Sequence, residues 1–151
     1  MYEQVIKIRY THNNMKSEIA GFREIEHTAD WELEVWAPDI LELLKQAAIG
    51  MFFLSGAQLS DAPRITREFK VAAIDPEGLL VSFLSELLYY GEGEGLGFDH
   101  FELSLDGEIL WAQAKGAPYV SLDKEIKAVT YHNLEIRDEP GGLVVRIVFD
   151  V

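Results

Sequence analysis

Trp31-Glu32-Leu33-Glu34-Val35-Trp36 alternates apolar and acidic side chains, and Pro38-Asp39 follows almost at once. A period of two places Trp31, Leu33 and Val35 on one face and Glu32 and Glu34 on the other, the pattern of a strand with one covered side. The pattern then changes. Ile40, Leu43, Leu44, Ala47, Ala48 and Met51 recur at helical spacing and form one apolar stripe. Asp39 suits the N-cap of that helix, and Glu42 stands three residues on, as in a capping box. Gly56 closes the segment. A strand feeding directly into an amphipathic helix, each with one apolar side, calls for a helix packed on a sheet around one core.

Working outward, Phe22–Glu26 reads as a strand preceding this one. Arg64–Ile74 reads as another. Asp75-Pro76 starts a second helix, with Asp75 as cap and Pro76 at the first helical position. Leu80, Phe83, Leu84, Leu87 and Leu88 make its core face, and Gly91, Gly93, Gly95 and Gly97 are expected to end it in a loose acidic loop. Phe101–Leu105 and Ile109–Lys115 flank Asp106-Gly107, a strong hairpin signal. Val129–Arg137 and Leu143–Val151 flank Glu139-Pro140-Gly141-Gly142 and read as a second hairpin. The expected fold is an α+β single domain, a largely antiparallel sheet with two helices packed on it. It spans residues 21–151. Residues 1–20, with the short alternating run Val5-Ile6-Lys7-Ile8, read as an N-terminal extension, either disordered or including 14 residues upstream of a true start at Met15.

The chain has 151 residues, 48% of them hydrophobic, enough for one domain with a substantial core. There is no cysteine, which excludes disulfides, thiolate metal sites and cysteine nucleophiles. The most apolar segment, Leu79–Tyr90, is interrupted by Ser82, Ser85 and Glu86 and reads as an amphipathic helix rather than a membrane span. The N-terminus has no basic-then-apolar signal pattern, and a cytoplasmic location is expected. The formal net charge of −13 opposes direct approach to phosphate backbones. It leaves a basic protein partner, a cation, or solubility alone as its use.

Three positions carry candidate chemistry. Asp150 is followed by Val151, so a carboxylate, a main-chain carbonyl and the terminal carboxylate fall within two residues. Such a cluster of hard oxygens suits Ca²⁺, Mg²⁺ or Mn²⁺ rather than zinc. Taken alone, Asp150 reads first as a solvated residue at a fraying end. Asp30 lies between two expected strands and is the natural second ligand, although an aspartate there also serves as a turn residue. Lys127 shares a strand face with Val129 and Tyr131, where it either snorkels or meets an anionic group. His27 and His132 read as structural. The run Gly91-Glu92-Gly93-Glu94-Gly95-Leu96-Gly97 is not a dinucleotide fingerprint, because it follows a helix and its glutamates would repel phosphate. Neither a nucleophile elbow nor a P-loop occurs.

Glu26-His27-Thr28-Ala29-Asp30, Ala47-Ala48-Ile49-Gly50-Met51-Phe52, Asp75-Pro76-Glu77-Gly78-Leu79-Leu80, Ser85-Glu86-Leu87-Leu88-Tyr89, Ile126–His132 and Phe149-Asp150-Val151 occur in that order. Together they resemble the archease family, from about Gly21 to the end. The resemblance implies a small α+β domain that binds a calcium-like divalent ion through Asp30, Asp150 and Val151, with Lys127 among the functional positions. It implies an accessory role rather than catalysis: promoting guanylylation and multiple turnover of an RtcB-type RNA ligase in tRNA splicing, with tRNA met only through that partner. Two other readings stand beside it, a metal-dependent phosphate-ester hydrolase using the same carboxylates and a chaperone-like partner of tRNA-modifying enzymes.

Overall fold

A computed structural model describes residues 19–26 and 29–151. The proposed extension therefore lies almost wholly outside the described residues, as does His27. The described strands are β1 (Gly21–Ile25), β2 (Trp31–Ala37), β3 (Gln58–Leu59), β4 (Ile65–Ala72), β5 (Leu96–Asp106), β6 (Ile109–Ser121), β7 (Ala128–Val129), β8 (Arg137–Glu139) and β9 (Gly142–Asp150). The helices are α1 (Ile40–Leu54) and α2 (Pro76–Glu94). The expected α+β domain is present, with every described strand pair antiparallel. The strands divide into two sheets. One runs β1-β2-β9-β7, with β8 also on β9, and the other runs β3-β6-β4, with β5 on β6.

Both helices form where their caps predict. The Asp39 Oδ1 accepts from the Glu42 N–H at 2.9 Å, and Asp75 Oδ1 accepts from the Gly78 N–H at 2.6 Å. Each cap satisfies an N–H that the helix cannot. The Glu42 carboxylate does not close a capping box. It accepts instead from Gln46 Nε2 at 3.0 Å, one turn on. Leu43, Leu44, Ala47, Ala48 and Met51 of α1 are fully buried, as are Leu80, Phe83, Leu84 and Leu87 of α2. The helix α1 packs on β1, β2, β9 and β5, and α2 packs on β4, β5 and β7. Each helix thus touches both sheets, and the buried side chains form one core.

Three expectations are corrected. The glycine run is not a loose loop: α2 continues through Gly91 and Gly93 to Glu94. It stops at Gly95, whose φ of 68° lets its N–H turn back to the Tyr90 and Gly91 carbonyls. Isolated glycines weaken a helix by about 1 kcal/mol each without breaking it, and the buried Leu80–Leu87 face outweighs that. Second, β5 begins at Leu96, so Gly97 is a strand residue against Leu59 and Tyr119. Third, Val129–Arg137 is not one strand. The chain leaves the sheet after Val129, turns with a Leu134 N–H to Tyr131 carbonyl bond of 3.1 Å, and places Asn133 at φ 51°. The Ile136 N–H then donates to Glu77 Oε2 at 2.9 Å, drawing the segment to the start of α2. Tyr131 consequently does not share a strand face with Lys127. His132 sits in this turn, its N–H 3.3 Å from Thr130 Oγ1.

Two helical glycines give opposite expectations. A Cβ at Gly50 would lie 2.7 Å from Leu33 Cδ2 and 2.9 Å from Phe22 Cγ, both in the core. At Gly93 it would meet nothing within 4 Å. Alanine gains about 1 kcal/mol of helix propensity at either place, but overpacking costs about 1–3 kcal/mol. Chemical denaturation should show Gly93→Ala stabilised by up to about 1 kcal/mol and Gly50→Ala destabilised.

Candidate functional site

The strand β9 is central in its sheet, and β2 and β7 on its two sides run antiparallel to it. The chain therefore enters β2 and β7 at the same end at which it leaves β9. Trp31 pairs with Phe149, the last pair of the β2–β9 ladder at that end, while Ala128 pairs with Asp150 and Val129 with Phe149. Asp30 stands next before Trp31 and Asp150 next after Phe149, so both lie at this end of the ladder. Lys127 stands next before Ala128, at the same end. The Lys127 N–H donates to the Asp150 carbonyl at 2.8 Å. The four residues named from the sequence thus converge on one end of one sheet.

Their facing follows from the pleat. Leu33, Val35 and Ala37 of β2, and Val145, Ile147 and Phe149 of β9, are buried against the helices. Successive side chains alternate, so Asp150 falls on the outer face with Arg146 and Val148. Glu32 and Glu34 occupy the same outer face of β2. Asp30, Lys127 and Asp150 are exposed, and Val151 is half-buried. Thr130 secures the neighbouring edge, since its N–H and its Oγ1 both donate to the Val148 carbonyl, at 3.0 and 2.9 Å.

The same outer face carries a cross-strand brace that sequence reading missed. Arg23 Nε on β1 donates to Glu34 Oε1 at 2.7 Å, and Arg146 Nε on β9 donates to Glu34 Oε2 at 3.3 Å. Burial works to raise the Glu34 carboxyl, but the hydrogen bonds and charges of Arg23 and then Arg146 outweigh it and hold the group below its ordinary range. A second missed contact places the Lys124 ammonium 5.9 Å from the Trp31 ring centroid. This ties the segment before β7 to the residue after Asp30. Ser55, which caps the C-terminus of α1, holds the same segment: its carbonyl accepts from the Asp123 and Lys124 N–H groups at 2.9 and 3.1 Å.

The donor set fits a hard cation. Two carboxylates and adjacent main-chain oxygens are the ligands such ions take. Among the described residues, no three His, Cys, Asp or Glu side chains come together in a group that could hold a metal. Any ion here would therefore draw its remaining ligands from main-chain oxygen, water or a partner. The cavity that Lys127 lines includes neither Asp30 nor Asp150. Among the described residues the two carboxylates thus stand exposed at a sheet end. Among the described residues, no helix is long and apolar enough to cross a membrane.

Glu34 gives a pH expectation. Its folded pKa is depressed, so its contribution to stability is present above the ordinary value of 4.5 and is lost as the pH falls through the folded value. Melting temperatures measured from pH 7 downward should fall below about 4.5. Glu34→Gln should be less stable than the parent at pH 7 and lose less over that range.

A sequence model of the Archease protein family matches residues 22–151. A protein archease of Methanosarcina mazei is 32% identical over 146 residues, covering 91% of this chain and 100% of that protein. A protein archease of Methanopyrus kandleri is 36% identical over 143 residues, covering 86% of this chain and 99% of that protein. The solution structure of Methanobacterium thermoautotrophicum protein 1598 superposes with a TM-score of 0.65 at 25% identity, covering 87% of this chain and 99% of that one. The crystal structure of a Thermotoga maritima protein, described as an archease and possible chaperone, gives 0.62 at 23% identity, covering 85% and 96%, a likeness of fold. The sequence motifs, the sheet that joins them and these relatives agree: the chain belongs to the archease family.

Proposed function

We propose that this chain activates an RtcB-type RNA ligase in tRNA splicing, promoting guanylylation of the ligase and its repeated turnover, through a divalent-cation site built on Asp30, Asp150 and Val151 with Lys127 beside it. The observation that carries the reading is the register that brings the start of β2, the end of β9 and the start of β7 to one sheet end. An open end of this kind suits presentation to a partner. Calcium is the favoured ion, with magnesium or manganese as alternatives, and when bound it would supply positive charge between the two carboxylates. Asp30 and Asp150 would hold it by their carboxylate oxygens and Val151 by main-chain oxygen. Lys127 would face an anionic group of the partner.

In this reading the protein is accessory and not itself a catalyst. The reaction belongs to the ligase, and RNA is reached through it, in the cytoplasm. The charge distribution supports that division. Against the net charge of −13, most described cations are already committed. Arg23 and Arg146 pair with Glu34, Arg64 with Asp99, Arg67 with Glu94, Lys115 with Glu102 and Arg137 with Glu139. Lys70 lies 5.2 Å from the Trp111 ring centroid. Among the described residues, Lys45 and Lys127 are the cations outside such contacts, and Lys127 is the one at the sheet end.

Asp30→Ala, Lys127→Ala and Asp150→Ala should each lose most stimulation of ligase guanylylation. Their melts should stay close to the parent's, because exposed substitutions away from buried features usually change stability by about 0.5 kcal/mol or less. Lys127→Ala separates docking from simple metal delivery, since a carrier has no use for that charge. Three normally folded variants that stimulate like the parent would refute the assignment. The isolated protein should also bind tRNA weakly at physiological salt, and tight, salt-sensitive binding in an anisotropy titration would contradict the accessory role.

A further inference from the structure

A cavity of about 470 Å³ opens between the C-terminal turns of the two helices and the segment leading into β7. That volume lies in the range of sites that receive a ligand group. Phe52 of α1, Leu88 of α2, Leu122 and Ile126 give it an apolar floor, and Tyr119 lines it from the end of β6. Burial pushes the Tyr119 phenol up to about 12, so it stays a neutral hydroxyl at any working pH. Gly91 keeps the wall thin: a Cβ there would lie 3.4 Å from the Tyr119 hydroxyl.

The rim holds four charged residues, Glu92, Lys124, Glu125 and Lys127. The Lys124 ammonium lies over the Trp31 ring, and the Lys127 ammonium is outside any ion pair among the described residues. Glu92 and Glu125 are exposed, and among the described residues neither carboxylate takes part in an ion pair or hydrogen bond. The cavity also lies against the last turns of two helices, neither of which carries a basic residue there. Their carbonyl ends add partial negative charge on the same side. The opening therefore combines an apolar floor with two carboxylates that have no partner among the described residues and with the carbonyl ends of two helices, beside the two lysines.

We propose that this cavity is a socket for an arginine side chain of a basic protein partner. The arginine stem would cover the Phe52, Leu88 and Ile126 surface while the guanidinium meets Glu92 and Glu125. Arginine is the side chain that unites an apolar stem with a planar fork for carboxylates, and it is among the residues that anchor interfaces. Lys127 belongs to both the cavity and the proposed activating end, so one partner can engage both. The inference rests on the proposed function in taking the ligase as that partner.

Two measurements test it separately from that function. In the first, the intact protein is titrated by NMR with the peptide acetyl-Gly-Arg-Gly-amide and with its citrulline counterpart. The arginine peptide should shift the amide signals of Gly91 and Ile126 in a saturable way, the citrulline peptide should not, and the double variant Glu92→Gln, Glu125→Gln should abolish the response. Absence of shifts, or equal shifts with citrulline, overturns the socket whatever the ligase does. In the second, the Glu92→Lys, Glu125→Lys variant is titrated against the ligase. Its affinity should fall at least tenfold while guanylylation at saturating protein stays at the parent rate. Unchanged affinity overturns the socket and leaves the activating end standing. A parent protein that neither binds nor stimulates the ligase overturns the proposed function, and with it the identity of the partner.

Discussion

The antiparallel ladder between β2 and β9 is the constraint on which the rest depends. It runs from Trp31–Phe149 to Ala37–Leu143 and joins the first part of the described chain to the last. Its inner face supplies Leu33, Val35, Val145, Ile147 and Phe149 to the core beneath the helices. Because the side-chain period is two, a slip of one residue would turn that whole set to solvent. Burial therefore fixes the register. The Glu34 brace, linking residues 112 apart in sequence on its β9 side, acts on the opposite face and favours the same register. The placement of Asp30 and Asp150 at one end of the sheet follows from this ladder.

Local features were legible in the sequence, and features made by distant residues were not. The alternation of Trp31–Trp36, the capping aspartates 39 and 75, and the turns at Asp106-Gly107 and Pro140-Gly141 all act within a few residues. Each appears where expected. The misreadings came where tertiary contacts overrode local signals. Gly91 and Gly93 remained helical because the opposite face of α2 is buried. The strand expected beyond Val129 was interrupted because Glu77, far back in the chain, offers its carboxylate to the Ile136 N–H. The short β3 had no pattern to reveal it, since two residues cannot show a period.

The candidate site was legible residue by residue, but not as a geometry. Asp30, Lys127, Asp150 and Val151 could be named as candidates from their motifs, yet only the strand order shows why they belong together. Nothing in the sequence pointed to the Ser55 carbonyl that holds the 123–124 segment, or to the Lys124 contact with Trp31. Those contacts bring the cavity and the carboxylate end into one region, with Lys127 shared between them. An acidic protein with its cations mostly paired can meet a basic partner through such a region. Mixed charges there favour orientation and partner choice more than affinity alone.

The central claim is that Asp30 and Asp150 form one hard-cation site at the end of the β2–β9 ladder. Trp31 stands next to Asp30 and can transfer excitation to a terbium ion, a hard oxygen-seeking substitute for calcium. Terbium luminescence excited through tryptophan tests the claim most directly. The account predicts saturable emission that calcium displaces and that Trp31→Phe, Asp30→Asn and Asp150→Asn each remove. Saturable emission that persists in both Asp30→Asn and Asp150→Asn, or no sensitised emission from the parent protein, would contradict it.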